Sequence, residues 1–363
     1  AGPGGTVMKS CNIIPGPKPN GATAERMIST LGDGTHFQSV KNGPRLYNCT
    51  ITHCCDDGIN AHGFFYRVVK TAGNNEMWLA FVNADDWAVG ETVNVFETED
   101  YTCRGSAVIA AFELIYDASL SAPQDKLTGT SKYVNGWYYH ITLDEPIEGI
   151  AVGDDVSNPS RMSSNAAVIN CTFGYNRARG IVLKGENSVI ENNTVTGSSA
   201  AGIMVISELS WAEGGFSNGS VIRNNRVISC GLESRTQYGS SSVAAIMVLL
   251  TPKNKCFYSG KGAENITVAD NVITDTGAFG LFVSNCKGIT VRGNRVTNPF
   301  AAGINNIGSV YGVTPKSGIL IGMCENITAE DNAVTCEKSE ITQAVDILNN
   351  CSSVLSNKRN ILN

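Results

Sequence analysis

A short motif of the form apolar-x-x-Asn-x-apolar recurs through the second half of the chain and restricts the fold more than any other feature. Its copies are VIENNTV at 189–195, VIRNNRV at 221–227, VADNVI at 268–273, VRGNRV at 291–296 and AEDNAV at 329–334. Between copies lie segments that open with a small residue, such as GIVL from Gly180 and GIMV from Gly202, which start 22 residues apart. Short β-branched segments at this period, with Gly and Asn turns and no helical periodicity, predict a solenoid.

The predicted fold is therefore all-β, a right-handed parallel β-helix in which every coil lays down parallel strands. Asn suits the bends because it tolerates left-handed backbone geometry and bonds its own turn. Longer spacings follow by insertion, since Asn193 and Asn225 are 32 residues apart, about ten more than one period. A β-sandwich with evenly spaced turns is the alternative, but it does not produce a 22-residue self-similarity.

One interruption of the repeat is large. Cys49-Thr-Ile and Cys171-Thr-Phe occupy the same repeat position, yet they lie 122 residues apart. Much of the intervening chain alternates apolar and polar residues between Gly, Asn and Asp turns, as at 66–70 and 137–143. This alternating pattern predicts a small antiparallel β-barrel inserted into the solenoid. The predicted domains are β-helix coils at 1–63, the barrel at 64–159 and the continued β-helix at 160–363.

The insert holds Trp78, Trp87 and Trp137. These side chains could stack on sugar rings, but a compact barrel needs large apolar fillers, so core packing is expected for two of the three. An inserted barrel could also form a pocket wall or a homodimer contact, and the sequence does not distinguish these roles.

Charge and hydrophobicity exclude several classes of partner. The formal net charge is −6 and no block of Lys or Arg occurs, which argues against nucleic acid. No run of 18 apolar residues suggests a membrane span. The chain does not begin with Met, so we expect either a removed leader or the C-terminal part of a longer protein that has further N-terminal coils. Because enzymes that degrade polymers are usually exported, an extracellular or periplasmic, bacterial-type location is expected.

Twelve cysteines occur without any CxxC pair, and the chain is too long and too apolar for a small disulfide scaffold. Four of them follow an asparagine in the same local frame, at Asn48-Cys49, Asn170-Cys171, Asn285-Cys286 and Asn350-Cys351. A small buried Cys beside a turn Asn explains this frame, so metal ligation by thiolates is not expected.

Three aspartates form the main candidate site. Asp33 precedes Asp56 by 23 residues, about one coil, so Asp33 is expected almost directly below Asp56 at the strand spacing of about 4.8 Å. Consecutive strand residues face opposite sides, so Asp56 and Asp57 share a cleft only at a turn or bulge, which Gly58 permits.

Carboxylates this close repel one another unless protonation, a cation or a catalytic role compensates. Inverting glycoside hydrolysis uses one carboxylic acid to protonate the leaving oxygen and carboxylates to activate water. A turn-capping Asp ladder or a calcium site is the alternative. The neighbouring His36, Asn60 and His62 form a richer polar group than a turn needs, and the closely spaced oxygen ligands of a calcium loop are missing. We expect His36, Asn60 and His62 to bind substrate. We also expect that no metal or cofactor is required.

The segments around these aspartates resemble the catalytic core of glycoside hydrolase family 110, the inverting exo-α-1,3-galactosidases. The resemblance rests on Asp33–His36, Lys41–Pro44, Asn48-Cys49 and Asp56–Gly63, and it extends through the insert to Arg177–Val182, Gly202–Val205 and Trp211–Gly215. A more distant likeness to the polygalacturonases covers only the aspartates on adjacent coils. The resemblance implies that Asp56 is the general acid, that Asp33 and Asp57 activate water, and that the substrate is an oligosaccharide or polysaccharide.

Further substrate-binding candidates follow from the coil register. With the insert excised, counting from Gly58 and Gly180 places Arg179 in the column of Asp57 and Lys184 in that of His62. Either cation could lower the pKa of a base carboxylate or bind a sugar hydroxyl, although a solvated face explains them equally well. Glu208, Trp211 and Glu213 lie in the extra loop after the Gly202 segment, where an aromatic side chain could form a sugar platform.

Two other functions remain open. Lyase or epimerase chemistry on uronic acids uses the same scaffold with a Lys or Arg base, but the acidic cluster argues against it. A non-catalytic glycan-binding β-helix predicts that replacing Asp33, Asp56 and Asp57 by Asn leaves function intact.

Overall fold

The computed structural model describes residues 5–81, 86–122, 134–232, 243–251, 257, 259–260, 262–304 and 312–363. Within them, three sheets of short parallel strands run along the molecule, with successive strands of each coil going to successive sheets. The predicted parallel β-helix with an antiparallel insert is confirmed. We number the strands in chain order.

The first sheet stacks strands that carry an apolar residue toward the interior, such as Leu46, Val168, Ile190 and Ile222, each fully buried. Its strands are β1 (Val7–Lys9), β4 (Arg45–Tyr47), β12 (Ala167–Ile169), β15 (Val189–Glu191), β19 (Val221–Arg223), β22 (Ala263–Ala269), β25 (Cys286–Arg292), β28 (Glu325–Glu330) and β31 (Ser352–Lys358).

The second sheet follows each strand of the first after a tight bend. Its strands are β2 (Asn12–Ile13), β5 (Thr50–Thr52), β13 (Thr172–Gly174), β16 (Thr194–Thr196), β20 (Arg226–Ile228), β23 (Val272–Thr274), β26 (Arg295–Thr297), β29 (Ala333–Thr335) and β32 (Ile361–Leu362).

The motif asparagines stack as a buried ladder at the bend between these two sheets. The side-chain Nδ2 of Asn193, Asn225 and Asn271 each donates to the Oδ1 of the next ladder asparagine at 3.0 Å. The left-handed residue at each bend is the one before the ladder asparagine, for example Asn192 with a φ of 57°. The motif therefore encodes a side-chain ladder in addition to the bend geometry expected from the sequence.

The third sheet carries the candidate site. Its parallel strands are β3 (Thr35–Gln38), β6 (Ile59–Ala72), β14 (Ile181–Leu183), β17 (Ile203–Glu208), β21 (Ala244–Thr251), β24 (Phe279–Ser284), β27 (Ser317–Gly322) and β30 (Gln343–Ile347). Small residues open several of these strands because the coils approach closely there. A Cβ on Gly58 would lie 2.5 Å from the carbonyl oxygen of Gly180.

The solenoid core is a column of aliphatic side chains facing inward from all three sheets. In the third sheet Ile59, Ile181, Ile203 and Ile246 lie in register on successive coils and are fully buried. Burying each such side chain contributes about 1.5–3 kcal/mol. This column fixes the register of the polar side chains that point outward beside it.

The insert is built on the long strand β6, whose first half belongs to the solenoid and whose second half pairs antiparallel with its neighbours. The insert strands are β7 (Glu76–Phe81), β8 (Thr92–Phe96), β9 (Cys103–Tyr116), β10 (Val134–Leu143) and β11 (Asp155–Ser157). Because β6 runs unbroken across residue 64, the domain limits at 64 and 159 stay predictions.

The tryptophans of the insert have different surroundings. Trp87 lies in the buried core, Trp78 stacks on His140 with ring centroids 4.2 Å apart, and Trp137 is 41% exposed. Two 3-10 helices, η1 (Pro159–Arg161) and η2 (Leu209–Trp211), occur in the described part of the chain. No helix there has the length and apolarity to cross a membrane.

The cysteines next to asparagine are mostly structural. Asn48, Asn170 and Asn285 adopt left-handed backbone conformations, and the cysteines that follow them are buried. The fourth copy differs, since Cys351 is only half-buried. The eleven cysteines that the structure describes are free thiols.

Candidate active site

Asp33 and Asp57 lie opposite each other on neighbouring coils. Thr35 pairs with Ile59, so the coil is 24 residues long at this point. The amide of Asp57 donates to Asp33 Oδ1 at 3.0 Å. The expectation that Asp33 lies directly below Asp56 is therefore wrong by one residue, because it assumed a 23-residue coil.

Asp56 and Asp57 occupy the turn that leads into β6, which allows both carboxylates to reach the same place. One carboxylate oxygen from each of Asp33, Asp56 and Asp57 lies within 4.8 Å of the others. Asp57 is 1% exposed, whereas Asp56 is exposed to solvent. The structure thus brings the three predicted aspartates together at the edge of the third sheet.

Arg179 neutralises Asp57. Its Nε lies 2.9 Å from Asp57 Oδ1 and its Nη2 lies 2.7 Å from Oδ2, while its backbone amide donates to Oδ1 at 2.9 Å. Burial lowers the pKa of Arg179, but the charges of Asp57 and Glu208 outweigh burial and raise that pKa well above its usual value. Asp57 therefore faces a permanent cation in a fork geometry that lysine cannot reproduce.

Asp56 has no ion-pair partner within the described residues. Burial raises its pKa, and the negative charges of Asp57 and Asp33 raise it further, against a lowering effect from Arg179 and Arg177. A carboxyl group in this position holds its proton to higher pH than an ordinary aspartate does, which is what a general acid requires.

Two histidines extend from Asp33. His36 Nδ1 lies 3.1 Å from Asp33 Oδ2, and His36 Nε2 lies 2.8 Å from His62 Nε2. His62 Nδ1 lies 2.8 Å from the Gly63 carbonyl oxygen, so we assign the proton of His62 to Nδ1 and leave Nε2 as an acceptor. With this assignment His36 Nε2 donates to His62, and His36 Nδ1 faces Asp33.

The pKa values of the two histidines agree with this assignment. The hydrogen bond to Asp33 raises the pKa of His36. Burial lowers the pKa of His62 to about 4. Asp33 therefore faces a titratable histidine and Asp57 a permanent cation, whereas Asp56 forms no ion pair among the described residues.

A buried ion cluster lies behind Arg179. Lys184 Nζ is 2.6 Å from Glu208 Oε2 and 2.6 Å from Glu213 Oε2, and Arg179 Nη1 is 2.7 Å from Glu208 Oε1. Burial raises the pKa of Glu208, but the charges of Arg179 and Lys184 dominate and lower it to about 2. Glu213 also lies 3.8 Å from His62 Nε2.

The remaining candidates lie at the margin of this cluster. Asn60 is 6% exposed, and its Oδ1 has no hydrogen-bond partner in the described structure. Trp211 lies on η2 and is 52% exposed. Sequence reasoning did not assign a role to Arg177, whose charge lowers the pKa of Asp56, or to Met204, whose sulfur lies 3.6 Å from Arg179 Nη1. Column counting through Val182 and the Gly202 segment could have found Met204.

Among the described residues, one group of acidic, cysteine or histidine side chains has ligand atoms close enough together to hold a metal ion. That group is these three aspartates. Their oxygens already accept hydrogen bonds from Arg179, the Asp57 amide and His36. This set lacks the additional oxygen ligands that calcium prefers. The absence of a metal requirement stays a prediction.

Comparison with known proteins supports both the fold and the relationship. A family described as right handed beta helix region matches residues 160–317. Alpha-1,3-galactosidase A of Shewanella woodyi is 24% identical over 75% of this chain and 41% of its own length. Alpha-1,3-galactosidase B of Bacteroides thetaiotaomicron is 23% identical over 85% of this chain and 46% of its own length. The chain spans less than half the length of these curated relatives.

Two solved structures resemble the chain, and both superimpose on it with a low TM-score. Gp54 tailspike of Acinetobacter baumannii bacteriophage AP22, in complex with capsular saccharide, has a TM-score of 0.28 and 9% identity, over 92% of this chain and 53% of that chain. The A-module of mannuronan C-5 epimerase AlgE6 from Azotobacter vinelandii has a TM-score of 0.24 and 14% identity, over 56% and 65% respectively. The curated relatives confirm the predicted resemblance of this chain to the alpha-1,3-galactosidases of glycoside hydrolase family 110.

Proposed function

We propose that this protein is an inverting glycoside hydrolase that removes terminal α-linked galactose from an oligosaccharide or polysaccharide. Asp56 is the general acid, and Asp33 and Asp57 position and activate the attacking water. The names of the curated relatives support the choice of sugar and of the 1,3 linkage, and the geometry of the aspartates supports these roles.

One observation carries the assignment of roles. Both carboxylate oxygens of Asp57 accept hydrogen bonds from Arg179, and Asp33 faces His36. Asp56, in contrast, forms no ion pair among the described residues and has a raised pKa. Paired carboxylates whose surroundings push them toward opposite protonation states divide into acid and base. Asp56 is therefore the proposed proton donor, and Asp33 and Asp57, whose oxygens accept hydrogen bonds from Arg179, the Asp57 amide and His36, are the proposed bases.

The proton balance of the reaction follows from this division. Asp56 gives its proton to the glycosidic oxygen as the bond from that oxygen to the anomeric carbon breaks. Water attacks the anomeric carbon from the opposite face and passes its proton to Asp33 or Asp57. The product is β-galactose, and before the next turnover the protonated base releases its proton to solvent and Asp56 takes up a proton from solvent.

The carboxylate spacing must be reconciled with inversion. Oxygens within 4.8 Å are closer than the roughly 6.5–9.5 Å usual in inverting pairs and resemble the roughly 5 Å of retaining pairs. Retention needs one carboxylate to attack the sugar. Both oxygens of Asp57 accept from Arg179, and Asp33 accepts from the Asp57 amide and faces His36. Carboxylates held in this way suit water activation, so we propose inversion, and the product anomer decides.

Lyase chemistry on uronic acids is less consistent with the site. It requires a cation free to neutralise the substrate carboxylate and a basic Lys or Arg. Lys184 is fully buried between two glutamates, and Arg179 is occupied by Asp57 and Glu208. Neither cation is available for those tasks.

The test is hydrolysis of p-nitrophenyl α-galactoside and Galα1,3Gal by wild type and Asp56→Asn, with the product anomer followed by proton NMR. We expect wild type to release β-galactose and Asp56→Asn to lose about 10²–10⁴-fold in rate on the disaccharide. Asp270→Asn is the matched control, because Asp270 is an exposed turn residue on the solenoid. Intact substrates with wild type, or full activity of Asp56→Asn, would refute the proposal.

A further inference from the structure

The loop of residues 208–214 is closed by a single lysine. Glu208 ends β17 and Glu213 begins the two-residue strand β18 (Glu213–Gly214), with η2 between them. Both carboxylates bond the Nζ of Lys184 at 2.6 Å, and the side chain of Lys184 is fully buried. One ammonium group therefore joins the two ends of this loop.

The backbone of the 208–214 loop is fixed as well. Glu213 pairs with Phe64, and the amide of Phe65 donates to the Ala212 carbonyl at 2.8 Å. Ala212 adopts a left-handed conformation and donates to the Leu209 carbonyl at 3.0 Å. A Cβ on Gly214 would lie within 2 Å of the Phe65 ring, so the loop and β6 are in direct contact.

This fixed loop exposes one large aromatic side chain. Leu209 and Ala212 are completely buried on either side, whereas Trp211 between them is 52% exposed. Tryptophan is on average a well-buried residue, and an indole on a rigid backbone offers apolar contact area at little entropic cost. Trp211 therefore keeps about half of its surface accessible to solvent.

The loop is also connected directly to the candidate active site. Glu208 accepts from the same Arg179 side chain that forks Asp57, at 2.7 Å. Glu213 lies 3.8 Å from the His62 ring, which bonds the histidine beside Asp33. Trp211 thus lies on the short segment whose two ends contact Arg179, the partner of Asp57, and His62, the partner of His36.

We propose that Trp211 is a sugar-binding platform beside the catalytic aspartates, and that Lys184 is the positioning residue that holds its loop. The ligand is a galactose-terminated oligosaccharide, whose pyranose rings have an apolar C–H face suited to an indole. This inference rests on the proposed function for the identity of the sugar.

The test separates binding from catalysis. Calorimetry measures the affinity for Galα1,3Gal of two proteins, the single variant Asp56→Asn and the double variant that also carries Trp211→Ala. We expect Trp211→Ala to weaken binding about tenfold, as an aromatic anchor does when truncated. Trp137→Ala in the same background is the matched control, because Trp137 is 41% exposed but lies on β10 of the insert.

Equal affinities with and without Trp211, or a loss confined to Trp137→Ala, would overturn the inference while leaving the proposed hydrolysis intact. A parent Asp56→Asn protein that does not bind the disaccharide at millimolar concentration would also overturn it. Binding that depends on Trp211, combined with a wild type that cleaves no galactoside, would support the platform and refute the hydrolase proposal.

The role of Lys184 is tested through its partner, since removing a buried lysine could unfold the protein. Glu213→Gln weakens one side of the closure and keeps the side-chain shape. We expect it to raise KM for Galα1,3Gal severalfold with kcat within about twofold of wild type. A fall in kcat at unchanged KM would contradict a positioning role.

Discussion

Arg179 lies one coil above Asp57 and holds both of its carboxylate oxygens, although 122 residues separate the two in sequence. The insert leaves the solenoid through β6, and the chain returns to the solenoid at β12, which pairs with β4, and to the third sheet in register at β14. The core column of Ile59 and Ile181 maintains that register. Asp57 and the cation that neutralises it therefore lie on coils that the insert separates in sequence.

The Arg179–Asp57 fork leads to a prediction for Arg179→Lys. Lysine keeps the charge but cannot bond both oxygens, so Asp57 loses its fixed orientation. We expect kcat/KM on p-nitrophenyl α-galactoside to fall about 10²-fold. Arg223→Lys is the control, because Arg223 forms an exposed ion pair with Glu191 on the first sheet. Unchanged kcat/KM for Arg179→Lys would show that orientation of Asp57 is not needed.

The acid role of Asp56 leads to a prediction for the pH profile. Arg177 lowers the pKa of Asp56, so Arg177→Gln raises it and keeps the acid protonated to higher pH. The alkaline limb of kcat/KM should therefore move to higher pH. Arg226→Gln, an exposed arginine on the second sheet, should leave the limb in place. A downward shift with Arg177→Gln would contradict the assignment of Asp56.

The neutral state of His62 should make the fold sensitive to mild acid. Burial lowers its pKa from 6.5 to about 4, so the unfolded chain binds more protons than the folded protein between those values. The free energy of unfolding therefore falls as pH drops, by about 2 kcal/mol between pH 7 and pH 5 for this group. Urea unfolding of wild type and His62→Gln at pH 7 and at pH 5 measures this change in the free energy of unfolding. The variant should lose less stability on acidification, and equal losses would contradict a neutral His62.

Residue spacing in the sequence could predict the repeat and the presence of an insert. Counting from the in-register glycines Gly58 and Gly180 could also predict which residues of the neighbouring coil Arg179 and Lys184 lie above. The position of Asp33 was wrong by one residue because coil length varies between 22 and 24 in this region. A single shift of this kind changes which carboxylate has a neighbour below it.

The ion cluster could not be predicted by counting. Contact of Glu208 and Glu213 with substrate stays a prediction, and the structure places both on Lys184, with Glu208 also on Arg179. These contacts depend on how the 208–214 loop folds back onto β6 rather than on the solenoid register. The pairing of His36 with His62 likewise requires the rotamers of two side chains on adjacent strands.

The asparagine ladder provides a last prediction, for the repeat itself. Asn271 is fully buried, accepts from Asn225 and donates to Asn294 and to the Ile222 carbonyl. Asn271→Ala leaves these buried groups without partners, which should cost about 3 kcal/mol in the free energy of unfolding.

Asn360 is the matched control for this prediction, because it ends the ladder and is only half-buried. Asn360→Ala should cost no more than about 1 kcal/mol, since water can replace its partners. Urea unfolding midpoints of the two variants compare them directly. Equal losses would mean that burial of the ladder hydrogen bonds adds little to the stability that each repeated Asn provides.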